Sequence, residues 1–230
     1  MTKVSSRSRQ SESIRKMVVA AMLSAITAIL TFTPIGMIPL PPPLLSATTV
    51  HVPVILAALL EGPLVGLIVG LVFGLCSLLR AVQAPTGLTM FFMNPLVSVL
   101  PRLFVPLVAF GAYFLLKKLL RSAHVGDKVS AAIAAAVGSV ANTVGCLGML
   151  NLIYGGQLTQ MINEMVSAGS YEAAYLDNAG AWLVAVVGLP NGVSEAVAAA
   201  VIVPVIKIAV DAVVHRARRR TPQKPADKES

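Results

Sequence analysis

Between Met17 and Val213 the chain is a succession of apolar runs, with its charges swept into the gaps between them. A helix needs roughly 20 apolar residues to cross the hydrocarbon layer of a bilayer. In lipid every backbone polar group has to be bonded within the structure, which leaves helices or closed barrels. The runs show no apolar–polar alternation, so a β-barrel is excluded. Composition agrees: 56% of the 230 residues are hydrophobic and 12% are charged, against about 25% charged in a soluble domain. The fold class expected is an all-α integral membrane protein.

Six spans are read. The first is Met17 to Phe32, closed by Pro34, and a proline-rich link follows with Pro39, Pro41, Pro42 and Pro43. The second runs from Thr49 to Leu60 and the third from Pro63 to Leu79. After the link "RAVQAPTGLTMFFMN" come the fourth, Pro95 to Leu116, and the fifth, Val129 to Ile153. Tyr154 to Asn178 forms a long acidic link. The last apolar run, Ala179 to Val213, has 35 residues and would make about 52 Å of helix against a core of about 30 Å. A break is therefore expected at "GLPNG", Gly188 to Gly192, because proline and glycine interrupt helices. The sixth helix then starts at Pro190, and Ala179 to Val187 becomes a short apolar piece at one membrane face. The expected organisation is a basic tail at 1–16, a six-helix membrane domain at 17–213 and a basic disordered tail at 214–230.

Lys and Arg orient the bundle, because basic loops stay in the cytoplasm. Sixteen of the eighteen lie in three places: the amino tail, the link holding Lys117, Lys118, Arg121 and Lys128, and the carboxyl end from Lys207 onward. The link Tyr154 to Asn178 holds Glu164, Glu172 and Asp177 and no basic residue. Both termini are thus expected in the cytoplasm and this link outside. Topology explains the net charge of +8; it makes no case for nucleic acid, and the basic tail suits anionic lipid.

Two charges fall inside the outer half of the spans. Arg102 lies seven residues into the fourth span, roughly 10 Å deep. Glu195 lies five residues after Pro190, roughly 7–8 Å deep. Intramembrane charges are costly and face a bundle interior or an aqueous cavity. Either the two pair with each other, or they serve a ligand site open to the outside. Arg80, Gln83, Asn94, Asn151, Tyr154 and Asn191 lie at similar depth or in the outer links, and Asn191 shares a helix face with Glu195. Phe91 and Phe92 can cover a ligand or anchor the interface, and His51 at the outer start of span two is a ligand contact or a structural histidine. Asn142, nearer mid-membrane, reads as an interhelical hydrogen bond. Gly62, Gly66, Gly70 and Gly74 form a smooth ridge that lets helices approach closely, inside the bundle or across a dimer. Cys76 and Cys146 lie in apolar runs and read as small buried hydrophobes. No metal-ligand cluster, nucleophile–base set or phosphate-binding loop is present. The chain is therefore expected to be no enzyme, to carry no cofactor or metal, and to be unable to power transport alone.

Three stretches carry a resemblance: "TTVHVPVILAALLEGPLVGLIVGLVFGLCSLLRA", "NPLVSVLPRLFVPLVAFGAY" and "LPNGVSEAVAAAVIVPVIK". With their His-x-Pro start, Glu-Gly-Pro turn, Pro-Arg pair and Asn-Gly-x-x-Glu-Ala motif, they resemble the substrate-binding S-components of energy-coupling factor (ECF) vitamin transporters over about residues 15 to 210. The likeness implies a six-helix subunit of a bacterial cytoplasmic membrane that captures a vitamin-like molecule from outside. It implies a transmembrane coupling subunit and two cytoplasmic ATPases as partners. Within the family the chain looks most like the pantothenate type. There the carboxylate of the ligand would meet Arg102, with Asn191 and Glu195 serving its hydroxyl and amide groups. The family also typically docks its coupling subunit on an Ala-x-x-x-Ala pattern in the first span, which Ala21 and Ala25 fit.

Overall fold

A computed structural model describes residues 2–38, 47–85, 87–120 and 126–220. The proline-rich link and the last ten residues lie outside the described residues. The chain is helical almost throughout. Helix α1 (Thr2–Phe32) leads through a short 3-10 turn, Pro34–Gly36, into strand β1 (Met37–Ile38). Strand β2 (Ala47–Thr48) returns antiparallel, pairing Met37 with Thr48. Then come α2 (Val52–Glu61), α3 (Pro63–Gln83), a 3-10 turn Gly87–Met93, α4 (Pro95–Ser98) and α5 (Leu100–Leu119). Helix α6 (Gly126–Ser167), a 3-10 turn Ala173–Tyr175, α7 (Ala179–Trp182), a π-helical stretch Leu183–Gly188 and α8 (Leu189–Arg220) complete the order.

Among the described residues, five helical segments are long and apolar enough to cross a membrane, not six: Gln10–Phe32, Pro63–Gln83, Pro95–Leu119, Gly126–Ser167 and Ala179–Val214. The shortfall is α2. It has ten residues, about 15 Å of helix, because residues 47–50 are taken by the strand and turn before it. Pro53 stands in its first turn, where a missing N–H costs nothing. Gly62 stops it at φ 96°, a conformation that other residues resist, and Pro63 restarts the chain as α3. Val52 to Leu59 are all buried. Around this enclosed post stand α1, α3, α5, α6 and α8. Its Val54, Ile55, Ala57 and Ala58 form the core with Val105, Ala109, Ala134, Ala135, Ala199 and Val203.

The glycine ridge faces inward. A Cβ on Gly66 would stand 2.8 Å from the Ala58 side chain; one on Gly70 would stand 2.7 Å from the Arg102 backbone oxygen, and one on Gly74 2.8 Å from the Val99 Cα. These glycines let α3 touch α2 and α5 at backbone distance. The ridge is internal packing.

Two expectations are corrected. Tyr154 to Asn178 is not a mere link, since α6 continues to Ser167 with a kink at Tyr154 (φ −121°, ψ 16°). Leu158 and Ile162, one turn apart, are fully buried against Trp182 and Leu183, and that apolar stripe sustains the helix among polar neighbours. Nor does the last apolar run break at "GLPNG". The Leu189 N–H donates to the Val184 carbonyl, five residues back. The wider π turn takes up the irregularity that Pro190 forces on an α-helix. Helix α8 continues to Arg220, and α1 is helical from Thr2.

One end of the bundle carries the basic residues and is held by charge. Lys207 sits 2.9 Å from Asp127 and 2.8 Å from Asp211, and Lys117 sits 3.0 Å from Asp127. The Tyr113 hydroxyl donates to Asp127 at 2.6 Å. This cluster joins α5, α6 and α8. Arg15 and Glu61, 2.9 Å apart, join α1 to the α2–α3 turn at the same end.

Candidate ligand-binding site

At the opposite end a cavity of about 320 Å³ is lined by Thr31, Thr48, Val50, Phe73, Ser77, Arg80, Ala81, Ala84, Thr89, Phe92, Arg102 and Asn142. Its wall therefore gathers the end of α1, strand β2, the end of α3, the turn at 87–93, the start of α5 and the middle of α6. Two guanidinium groups, four hydroxyls and one amide face it, and among the described residues no carboxylate lines it. A larger hollow of about 520 Å³ lies between α6 and the α7–α8 path, but Thr143 and Asn151 are the only polar side chains that line it. Its rim residues Val144, Val184, Val193 and Val197 are exposed on membrane-length helices, so it opens onto hydrocarbon. Of the two, the smaller cavity offers a polar solute the larger set of polar side chains.

Arg102 is buried, and its guanidinium lies between two rings, 5.3 Å from the Phe73 centroid and 5.2 Å from that of Phe92. Nη1 donates to the Val97 carbonyl at 2.9 Å and to the Cys146 sulfur at 2.7 Å, and Nη2 to the Ser77 hydroxyl at 3.4 Å. Nε has no partner among the described residues. The positive charge is thus held in place by aromatic faces and neutral acceptors, with no protein anion to cancel it at contact distance. Arg80 lines the same cavity and donates to the Thr31 carbonyl.

The ion pair that the sequence left open, Arg102 with Glu195, is not formed. The carboxylate of Glu195 instead accepts the Thr48 backbone N–H at 2.8 Å and the Thr48 hydroxyl at 3.0 Å, and lies 3.5 Å from the Thr143 hydroxyl. Asn191, one turn before it, is buried with an unpartnered Oδ1 among the described residues. His51 is fully buried, and neither ring nitrogen has a partner among them. It follows Val50 of the cavity wall and lies within electrostatic reach of Arg102.

Of the expected site residues, Arg80 and Arg102 line the cavity. Glu195, Asn191 and His51 are in the buried shell outside its lining. Asn94 and Tyr154 do not line it either. Asn94 caps α4 by accepting the Leu96 N–H at 3.0 Å, and it donates to the Tyr154 hydroxyl at 3.1 Å. Tyr154 packs on Phe91 with centroids 4.9 Å apart. This cap holds the turn that carries Phe92. Sequence reasoning missed Thr31, Thr48, Ser77 and Thr89, since a threonine or serine near a helix end is commonplace and gives no signal of its own. Asn142, read from the sequence as an interhelical bond, lines the cavity and accepts from the Cys146 thiol at 3.8 Å.

Ala21 and Ala25 are both exposed on α1. Ala21 borders a shallow hollow of about 340 Å³ between α1 and α3, with Lys16, Met17, Ala20, Ser24, Val65 and Ile68.

No curated protein matches the chain. A family model, that of the ECF transporter substrate-specific component, matches residues 15–207. Proteins of that family are transporter subunits rather than enzymes, and they work with a small-molecule substrate and an energising module of ATPases and a T component. Membrane-length helices, a buried polar cavity and this match across most of the sequence agree: the chain belongs to the ECF transporter substrate-specific component family.

Proposed function

We propose that this subunit binds pantothenate, captured from outside a bacterial cell, and passes it to the energising module. The observation that carries the ligand assignment is the cavity wall, which offers Arg80 and Arg102 to an anion and no carboxylate to repel it. Pantothenate has one carboxylate, two hydroxyls and one amide, and the wall supplies two guanidiniums, four hydroxyls and the Asn142 amide. Charge-assisted hydrogen bonds of this type are the strong ones. The basic end of the bundle, with both termini, then lies in the cytoplasm, and the cavity opens outward. A coupling subunit docks on the exposed α1 face at Ala21 and Ala25, where small side chains allow close helix contact, and two ATPases act beneath it.

The test is mass spectrometry of small molecules retained by the purified subunit, followed by calorimetry with pantothenate. Retention of pantothenate, displaced by added unlabelled vitamin, is the expected result. Retention of a thiamine- or pyridoxine-related compound instead rejects the ligand while leaving the transport role. Normal membrane insertion with no retained or bound vitamin of any type rejects the binding role.

A further inference from the structure

Glu195 is a carboxylate buried among membrane-spanning helices, 7% exposed, and such a group must find partners. It has found them in the protein. Oε1 takes both the N–H and the hydroxyl of Thr48, and Oε2 faces the Thr143 hydroxyl. Thr48 lines the cavity and Glu195 does not, so the threonine stands between the carboxylate and any ligand. Thr48 also closes a strand only two residues long. A pair of strands this short cannot hold its own position. The strand also pairs with β1, and just after it the Thr49 N–H donates at 2.9 Å to the Gly36 carbonyl of the 3-10 turn that follows α1. Glu195 of α8, 147 residues away in sequence, ties Thr48 to the bundle from the side, while buried Val50 and His51 lead the chain on into α2.

We infer that Glu195 is a positioning residue: it sets the Thr48–Val50 wall of the cavity and does not touch the ligand. The inference rests on the reading that this cavity holds the substrate. What Glu195 supplies is an acceptor in the right place. A neutral amide supplies the same, because the Oε1 of a glutamine can take both Thr48 bonds while its NH₂ donates to Thr143.

The experiment uses the full chain in detergent, with variants Glu195→Gln, Glu195→Ala and Thr48→Val, and pantothenate as the probe. Glu195→Gln should bind within about threefold of wild type, while Glu195→Ala should weaken binding by at least about tenfold, the loss expected for charge-assisted bonds. Thr48→Val keeps the backbone N–H and should fall between them. Hydrogen exchange of the 47–50 amides in ligand-free protein gives an independent reading. It should rise in Glu195→Ala and stay at the wild-type level in Glu195→Gln. An equal loss of affinity in Gln and Ala variants with unchanged exchange would overturn the inference, because it marks a charge contact with ligand. Unchanged exchange and affinity in Glu195→Ala would overturn it too. If Glu195→Ala does not fold, Glu195→Gln and Thr48→Val still decide by the same two readouts. If wild type binds no pantothenate, the ligand reading fails, and the exchange data still judge the position of Thr48.

Discussion

At Arg102 the guanidinium is clamped before any ligand arrives. Two rings stack on it and three neutral groups accept its protons, so binding an anion costs little further ordering. Removing one partner of a desolvated charge contact costs about 2–5 kcal/mol, or about 30-fold to several-thousand-fold in affinity. Arg102→Ala should therefore abolish tight binding in calorimetry, with the helical content of the protein unchanged. Binding within about threefold of wild type would refute the contact. Arg102→Lys should not restore affinity, since a point charge on a flexible stem neither stacks between Phe73 and Phe92 nor keeps the fork of donors. That this arginine lies inside the bundle was legible in the sequence, because a charge inside an apolar run has few explanations. The partners of Glu195 were not legible. A carboxylate in a span announces that it is bonded, but not that its donor is a threonine 147 positions earlier.

Helices meet at distances set by what the glycines of α3 lack. A methyl group on Gly70 would stand 2.7 Å from the backbone oxygen of Arg102, and backbone cannot swing aside as a side-chain tip can. Gly70→Ala should lower stability by about 1–3 kcal/mol, shift α5 and weaken ligand binding with it. Gly148, on α6, has no heavy atom within 4 Å of the same methyl position, so Gly148→Ala should be neutral or stabilising by up to about 1 kcal/mol. Thermal unfolding in detergent compares the two directly, and equal effects would reject this account of the ridge. Five of the six spans expected from the sequence, together with their order, survive in α1, α3, α5, α6 and α8, because a long apolar run in lipid has no alternative to helix. Three features escaped. Helix α2 is apolar like a span but stops short, since its first residues are spent on a strand. The outer part of α6 looks polar because only Leu158, Ile162 and their neighbours face a partner. The π turn is invisible because proline and glycine signal a break, and a break and a widened turn look alike in sequence.

The whole molecule has two unlike ends, one bound by lysine–carboxylate contacts and one hollow. With the basic end in the cytoplasm, a cysteine at Ser167, exposed at the end of α6, should react in whole cells with an impermeant thiol reagent. One at Ser11, exposed on α1, should not. The native Cys76 and Cys146 are buried and leave the background low. The reverse pattern would put the cavity on the wrong side for uptake. The exposed α1 face gives a second test. Ala21→Trp with Ala25→Trp should hold a partner helix away and forfeit its packing, stopping uptake and co-purification with ATPases while pantothenate still binds the isolated subunit. Normal uptake by that double mutant would remove the docking site from this face. The enclosure of α2 bears finally on biosynthesis. This post is made early, yet α8 is among the helices that surround it, and Glu195 of α8 holds the strand just ahead of it. Until the ribosome has delivered the last helix, α2 lacks part of its wall and the Thr48 side of the cavity lacks its tie to Glu195. A chain truncated before Leu189 should therefore be degraded faster than the full chain in a pulse-chase, and an equal lifetime would show that α2 is enclosed without α8.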